Sequence, residues 1–219
     1  FGIKDDAFVF ISMFDTHSIA KRKNPFGSIR AFQQAFTADD MAVQLVIKIN
    51  NADAASIKVL KECIAAYQNI ILIDAHLDRA QIDSLINCSD CYVSLHHAEG
   101  FGLGPAEAMF MGKVALLTGW SGNTEYMRND NCVAIRYELK TLGKDYGPYE
   151  AHQHWAEPDI SHAADEMRDL AQNPARVAAL GARARQTIIS EFSALAIGKR
   201  MQQRLQNIER RLQGHSQTR

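Results

Sequence analysis

The chain has 219 residues, 47% of them hydrophobic, and 24 Lys plus Arg against 25 Asp plus Glu leave a formal net charge of -1. That supports one core of ordinary size and leaves no electrostatic footprint for the phosphates of a long nucleic acid. No apolar run approaches the roughly 20 residues that span a bilayer, and the opening FGIKDDAFVFI lacks the sections of a secretory signal, so a cytoplasmic location is expected.

In chain order, Ala7–Met13 reads as a buried strand, and Pro25 opens a helix whose Ile29, Phe32 and Phe36 recur at helical spacing. Val43–Ile49 is a second strand, 52–67 a helix, 69–74 a third strand and Arg79–Asn87 a helix. A fourth strand, CYVSL at 91–95, precedes a helix over Pro105–Met111, a fifth strand at 113–118, a short helix near 123–128 and a sixth strand, CVAIRY at 132–137. Lys140–Glu157, rich in Gly, Tyr and His, has no clear period and is expected to be a loop. Helices are predicted over 159–172, 174–190 and 194–212, and the closing GHSQTR is expected to fray.

Strands that are apolar throughout and separated by helices indicate a parallel sheet covered on both faces, because a crossover helix joins parallel neighbours. The expected fold is α/β, a Rossmann-like doubly wound parallel sheet with C-terminal helices over about 159–213. No repeat or linker divides the chain, so 1–219 is read as one domain. Cys88 and Cys91 alone have the two-residue spacing of a metal or redox pair; they are read as buried thiols flanking the fourth strand.

The segment Ser94–Lys113 carries the chemistry. Gly100, Gly102 and Gly104 let backbone N–H groups approach a ligand, and the helix that follows adds unpaired donors and a favourable dipole. Such an anion cradle lies at the carboxyl edge of an open α/β sheet, where ligands bind. Glu99 and Glu107 frame it, the latter expected in the first helical turn. A carboxylate repels a neighbouring diphosphate unless it is aimed at hydroxyls, so sugar and ribose hydroxyls are the reasoned partners. For Glu107 the alternative is an acid favoured only by the helix dipole.

Two acids separated by seven residues in EGFGLGPAEAMFMGK resemble the E-x7-E signature of retaining GT-B glycosyltransferases. That large family (family 4-like, group 1) includes the glycogen and sucrose synthases and many bacterial polysaccharide mannosyl- and glucosyltransferases. WSGNTEYM at 120–127 and RKNPFGSIRAFQQAF at 22–36 are similar to further family stretches. WAEPD at 155–159, with the helices after it, resembles the tail of members acting in lipopolysaccharide and capsule assembly. The resemblance implies that Lys23 contacts the donor diphosphate, Glu107 the ribose, and Glu99 with the backbone of Gly100, Phe101, Gly102, Leu103 and Gly104 the transferred sugar and phosphates. Lys23 and Glu99 are then the catalytic candidates, and the base rests over 74–77, with His76 and Leu77 in contact. Many members carry a Gly-Arg pair after the first strand; Ser12 and Met13 stand there instead, so Arg22 is assigned the second cation, or else Arg22 and Lys23 form a solvated turn.

The same resemblance implies sugar transfer from a nucleoside-diphosphate sugar to a glycan or lipid-linked acceptor, with retention and without a metal or other cofactor. It also implies that this chain is the C-terminal, donor-binding half of a longer enzyme, inactive in transfer by itself, with peripheral contact at the inner face of the membrane. The alternatives are a non-catalytic nucleotide-binding or docking module and a same-fold nucleotide-sugar epimerase. His96, His97 and Glu99 offer metal-ligating types, yet adjacent residues on a strand point to opposite faces; His152 and His154 read as surface groups. The glycines miss the third position of a dinucleotide fingerprint and follow a late strand. The Arg-rich final helix reads as a solvated face, with an anionic membrane surface as the alternative.

Overall fold

The computed structural model describes residues 1–216, the side chains of Ala20 and of 214–216 aside. Six parallel strands form the sheet: β1 (Phe8–Asp15), β2 (Val43–Asn50), β3 (Ile70–Ile73), β4 (Cys91–Ser94), β5 (Val114–Thr118) and β6 (Val133–Ile135). Their order is β3-β2-β1-β4-β5-β6. Connections run outward in opposite directions from β1 and β4, so a crevice opens at the carboxyl ends of those two strands.

Both faces of the sheet are buried, as continuous apolar strands require. Phe10, Ile47, Val93 and Leu116 pack on α2 (Pro25–Ala35), α3 (Ala54–Ile64) and α6 (Ile160–Gln172) through Phe32, Leu60 and Met167. Ile11, Val46, Tyr92 and Leu117 face the other way, onto α4 (Arg79–Asn87), α5 (Leu103–Phe110) and α7 (Pro174–Thr187) through Leu85, Met109 and Ala184. Helix starts follow their capping residues. Asp53 accepts from the Ser56 amide, and Asp78 and Gln81 form a reciprocal capping box.

Several expectations are corrected. The segment 140–157 is not a loop throughout: β7 (Tyr137–Thr141) and β8 (His154–Pro158) pair antiparallel and bracket an irregular tip. The apolar signal was hidden because every β7 residue after Tyr137 is exposed. The strand predicted to 137 therefore stops at Ile135. A short helix, α1 (Ala20–Lys23), was not anticipated, and the turn at Gly122–Glu125 is a 3-10 helix shorter than expected. The predicted helix over 174–190 passes into a π-helical turn at Ile188–Phe192. The last helix, α8 (Ala194–Ser216), runs past Leu212 and takes in Gly214 to Ser216; the remainder of GHSQTR lies outside the described residues. It exposes Leu195, Met201 and Leu205. Cys91 is buried as expected, but Cys88 is exposed at the end of α4. Among the described residues no helix is long and apolar enough to cross a membrane.

The second face is held closed where α7 crosses the turn between α5 and β5. A Cβ at Gly181 would lie 2.1 Å from the Gly112 carbonyl oxygen, which only a shift of α7 relieves. Gly181→Ala is expected to lower the unfolding free energy by about 1–3 kcal/mol, outweighing a helix-propensity gain of about 1 kcal/mol. Urea unfolding checks it, and unchanged or increased stability would show that α7 yields freely.

Candidate active site

The site is assembled by three segments at the crevice: α1 with the Asn24 cap, the loop 96–102, and the turn 121–126. Asn24 takes a left-handed conformation (φ 49°), accepts the Gly27 amide with Oδ1 and donates Nδ2 to the Leu95 carbonyl at 2.7 Å. The Arg22 carbonyl accepts from the His97 amide at 2.9 Å. These bonds set α1 beside the loop that follows β4.

There Lys23 Nζ donates to Glu99 Oε2, and Arg22 Nη1 donates to the Ala98 carbonyl at 2.8 Å and lies 3.5 Å from Glu99 Oε1. The Glu99 backbone is held by Ser121 Oγ at 2.7 Å and by the Gly122 amide at 2.9 Å. Burial alone would raise the Glu99 carboxyl, but the Lys23 hydrogen bond and the Lys23 and Arg22 charges overturn that and hold it below the ordinary carboxylate range.

The glycines divide into two roles. Gly102 (φ 81°) starts α5, and a Cβ on it would meet Tyr126 Oη, which donates to the Gly102 carbonyl at 3.1 Å. Because Gly102 is the N-cap, α5 begins at Leu103, not Pro105, and Gly104 is a helical residue packed against Tyr92. Glu107 therefore falls in the second turn, which removes the helix-dipole reading that a first-turn acid would have allowed. Gly100 is unobstructed; its carbonyl instead lies where a Cβ on Gly122 would fall. Gly102 offers α5 no side-chain cap, and Leu103 and Gly104 of its first turn line the crevice.

A cleft of about 380 Å³ is lined by Met13, Phe14, Asp15, Lys23, Asn50, Tyr92, Glu99, Phe101, Gly102, Leu103 and Gly104. A second, of about 350 Å³, is lined by Asp74, Ala75, His76, Leu77 and again by Asp15 and Asn50. The two adjoin at that shared wall. Each has the size of a small-molecule site. Lys23, Glu99 and the loop thus meet in one compartment, and His76 and Leu77 stand in the next. Arg22 is spent on backbone carbonyls and Glu99. Glu107 lines neither compartment; its carboxylate is held by Arg79 at 2.8 Å, and Arg79 also pairs with Asp83.

Sequence reasoning missed Asp15 and Asn50, the last residues of β1 and β2, which lie opposite each other in register. The available signal was a polar residue closing each apolar run. Ser12 and Met13 are inside β1, so the wall at the strand end is Asp15, whose Oδ2 accepts from Asn51 at 2.8 Å. Buried Lys48 also went unnoticed: Nζ donates to Asn50 Oδ1 at 2.6 Å and to the Ile49 carbonyl at 2.8 Å, orienting Asn50.

The histidines lie beyond the end of β4 and go separate ways. His96 Nε2 faces two acceptors, Asn123 Oδ1 at 3.0 Å and the Trp120 carbonyl at 3.3 Å, so that nitrogen carries the proton and Nδ1 accepts from Ser94 Oγ. His97 packs against Trp155 (ring centroids 4.4 Å apart, planes tilted by 36°), with Nε2 3.4 Å from Glu157. His154 pairs with Thr141 and His152 with Glu150. Among the described residues, no three His, Cys, Asp or Glu side chains group as metal ligands.

The doubly wound sheet thus carries, at its switch point, a cleft walled by glycines, a lysine and ordered carboxylates, the place where ligands bind in open α/β sheets. The chain belongs to the family described as glycosyl transferases group 1, whose profile matches residues 2–139. Solved structures of similar fold include a variant of S. aureus TarM in complex with UDP and alpha-GlcNAc-glycerol (18% identity, TM-score 0.66, 91% of this chain and 35% of that one). Anabaena HepE in complex with UDP-glucose is another (14%, 0.68, 92% and 49%). A third is the C-terminal domain of the group 1 glycosyl transferase LpcC from Francisella tularensis (18%, 0.64, 85% and 87%). The chain thus spans half or less of TarM and HepE. A search of curated proteins found no match.

Burial keeps His96 and His97 neutral, moving both imidazoles below their usual value near 6.5, against the raising effects of the Trp120 carbonyl and Glu157 respectively. The unfolded chain binds protons below pH 6.5 that the native chain does not, so stability is full above that pH and declines as pH falls. The unfolding midpoint is expected to drop from pH 7 to pH 5, with a shallower slope in His97→Gln. An identical slope in the variant would remove His97 from the account.

Proposed function

We propose that this chain is the nucleotide-sugar-binding half of a retaining GT-B glycosyltransferase acting in bacterial surface polysaccharide assembly. The observation that carries the reading is the shared cleft: Lys23, Glu99 and the residues at the start of α5 line one compartment, and Asp15 and Asn50 connect it to the compartment at 74–77. A nucleoside-diphosphate sugar laid along it sets its base at His76 and Leu77, its diphosphate at Lys23 and the loop amides, and its sugar at Glu99. UDP and UDP-glucose in the similarly folded TarM and HepE support that choice of ligand. Glu107 is held by Arg79 outside both compartments, so its role at the ribose requires the side chain to leave Arg79 and swing to the cleft.

The chemistry is electrostatic. Leaving-group charge on the diphosphate is taken by Lys23 and the oriented amides, with Arg22 fixing the loop, and no divalent metal is required. The acceptor, a glycan or lipid-linked sugar, comes from a second domain across the cleft, so this chain alone binds donor without transferring sugar. In the whole enzyme the work is cytoplasmic, at the inner face of the membrane.

Calorimetric titration of the chain with UDP, GDP and ADP and their sugar conjugates is expected to select one nucleotide, with binding weakened in Lys23→Ala and Glu107→Gln. In the full-length enzyme, Lys23→Ala is expected to cost about 2–4 kcal/mol in kcat/KM, and a chelator should leave the rate unchanged. Wild-type kinetics in Lys23→Ala would remove its role, and failure of every nucleotide to bind the full-length protein would sink the reading.

A further inference from the structure

We propose that Glu99 is a specificity gate: it competes with a bare nucleoside diphosphate for Lys23, so the cleft favours a diphosphate that still carries its sugar. The inference rests on the nucleotide-sugar reading of the same cleft.

Lys23 brings the one ammonium to the lining of this compartment among the described residues. Its Nζ already serves Glu99 Oε2, in a pair whose side chains are only 20% and 11% exposed. A pair so shielded from solvent is coupled more strongly than a surface bridge. Arg22 is no substitute, because Nε and Nη1 are directed at the Ser18 and Ala98 carbonyls. A diphosphate entering the cleft therefore meets an ammonium whose charge Glu99 already offsets, and it shares Lys23 with that carboxylate.

What Glu99 does next decides the affinity. Its backbone is held on both sides, by Ser121 Oγ at the amide and by the Gly122 amide at the carbonyl, so the carboxylate stays at the wall of the cleft. Its carboxylate keeps the Gly100 amide at 3.1 Å and the distant Arg22 contact, while its closest partner, Lys23, is shared with the diphosphate. A carboxylate is an acceptor only and needs a donor in exchange. The hydroxyls of a bound sugar provide it, whereas a bare nucleoside diphosphate does not and leaves Glu99 underpaired. Asp15, the other carboxylate on the wall, keeps its Asn51 partner in either case. Once the sugar has been transferred, Glu99 recaptures Lys23 and loosens the nucleoside diphosphate that remains. The group that recognises the substrate thereby also weakens the product.

The test measures UDP, GDP, ADP and their sugar conjugates against wild type, Glu99→Gln, Lys23→Ala and the double variant, with thermal unfolding as a folding control. Glu99→Gln is expected to bind the bare nucleotide about fivefold to tenfold tighter than wild type and to lose the preference for the sugar conjugate. In the Lys23→Ala background the same change should tighten binding less than in wild type, because only the direct repulsion between carboxylate and diphosphate is then relieved. If Glu99→Gln does not fold, Glu99→Asp, one methylene shorter, carries the same sign at smaller amplitude. Equal or weaker binding of the bare nucleotide to a folded Glu99 variant, with Lys23→Ala still weakening it, overturns the gate and leaves the nucleotide reading intact. Absence of binding by every nucleotide to every variant overturns both.

Discussion

Asn24 joins the two sides of the crevice, and the site depends on that junction. At the switch point β1 and β4 send their chains in opposite directions, so nothing in the sheet itself holds their following segments together. Asn24 spends its side chain on both: Oδ1 caps α2, which follows β1, and Nδ2 holds the carbonyl of Leu95, which follows β4. The left-handed backbone that allows this reverses the chain directly after Lys23. Lys23 and Glu99, 76 residues apart, meet because of that reversal.

A second brace acts from outside. The hairpin of β7 and β8 contributes the Ala156 amide to the His97 carbonyl at 3.0 Å and packs Trp155 against the His97 ring. Lys21 donates to Tyr146 Oη at the hairpin tip, at 2.9 Å. The loop bearing Glu99 is thus clamped between α1 on one flank and the hairpin on the other. Buried His96 ties its base to Asn123 and the Trp120 carbonyl. Rigidity of this kind keeps oriented dipoles from reorganising when charge develops on a ligand.

The Gly-rich loop shows how several constraints share one stretch of chain. Only Gly102 needs its positive φ; Gly104 is required by Tyr92, and Gly122, distant in sequence, gives the Gly100 carbonyl its place. Read as a motif, the three glycines looked alike. In the fold, one turns the chain, one packs a helix on a strand and one gives its amide to the Glu99 carboxylate and its carbonyl a place against Gly122.

The linear pattern determined the parallel core. Continuous apolar runs such as VQLVIKI can be buried on both faces only in a sheet covered by helices, so strand order aside, the α/β architecture was legible from periodicity. Glu99, Lys23 and the glycines were legible because motif spacing is local. The hairpin was not, since the exposed stretch ELKT of β7 has no buried alternation to display and is ordered by pairing with β8, whose Trp155 packs against His97. Nor were Asp15 and Asn50, which become a common wall only when β1 and β2 align in register, or the engagement of Glu107 by Arg79, which needs α4 and α5 side by side. Hydrophobic period and backbone conformation are properties of neighbours along the chain and are written there. The pairing of charges across elements depends on distances that only the packed sheet creates, and the tertiary structure alone decided it.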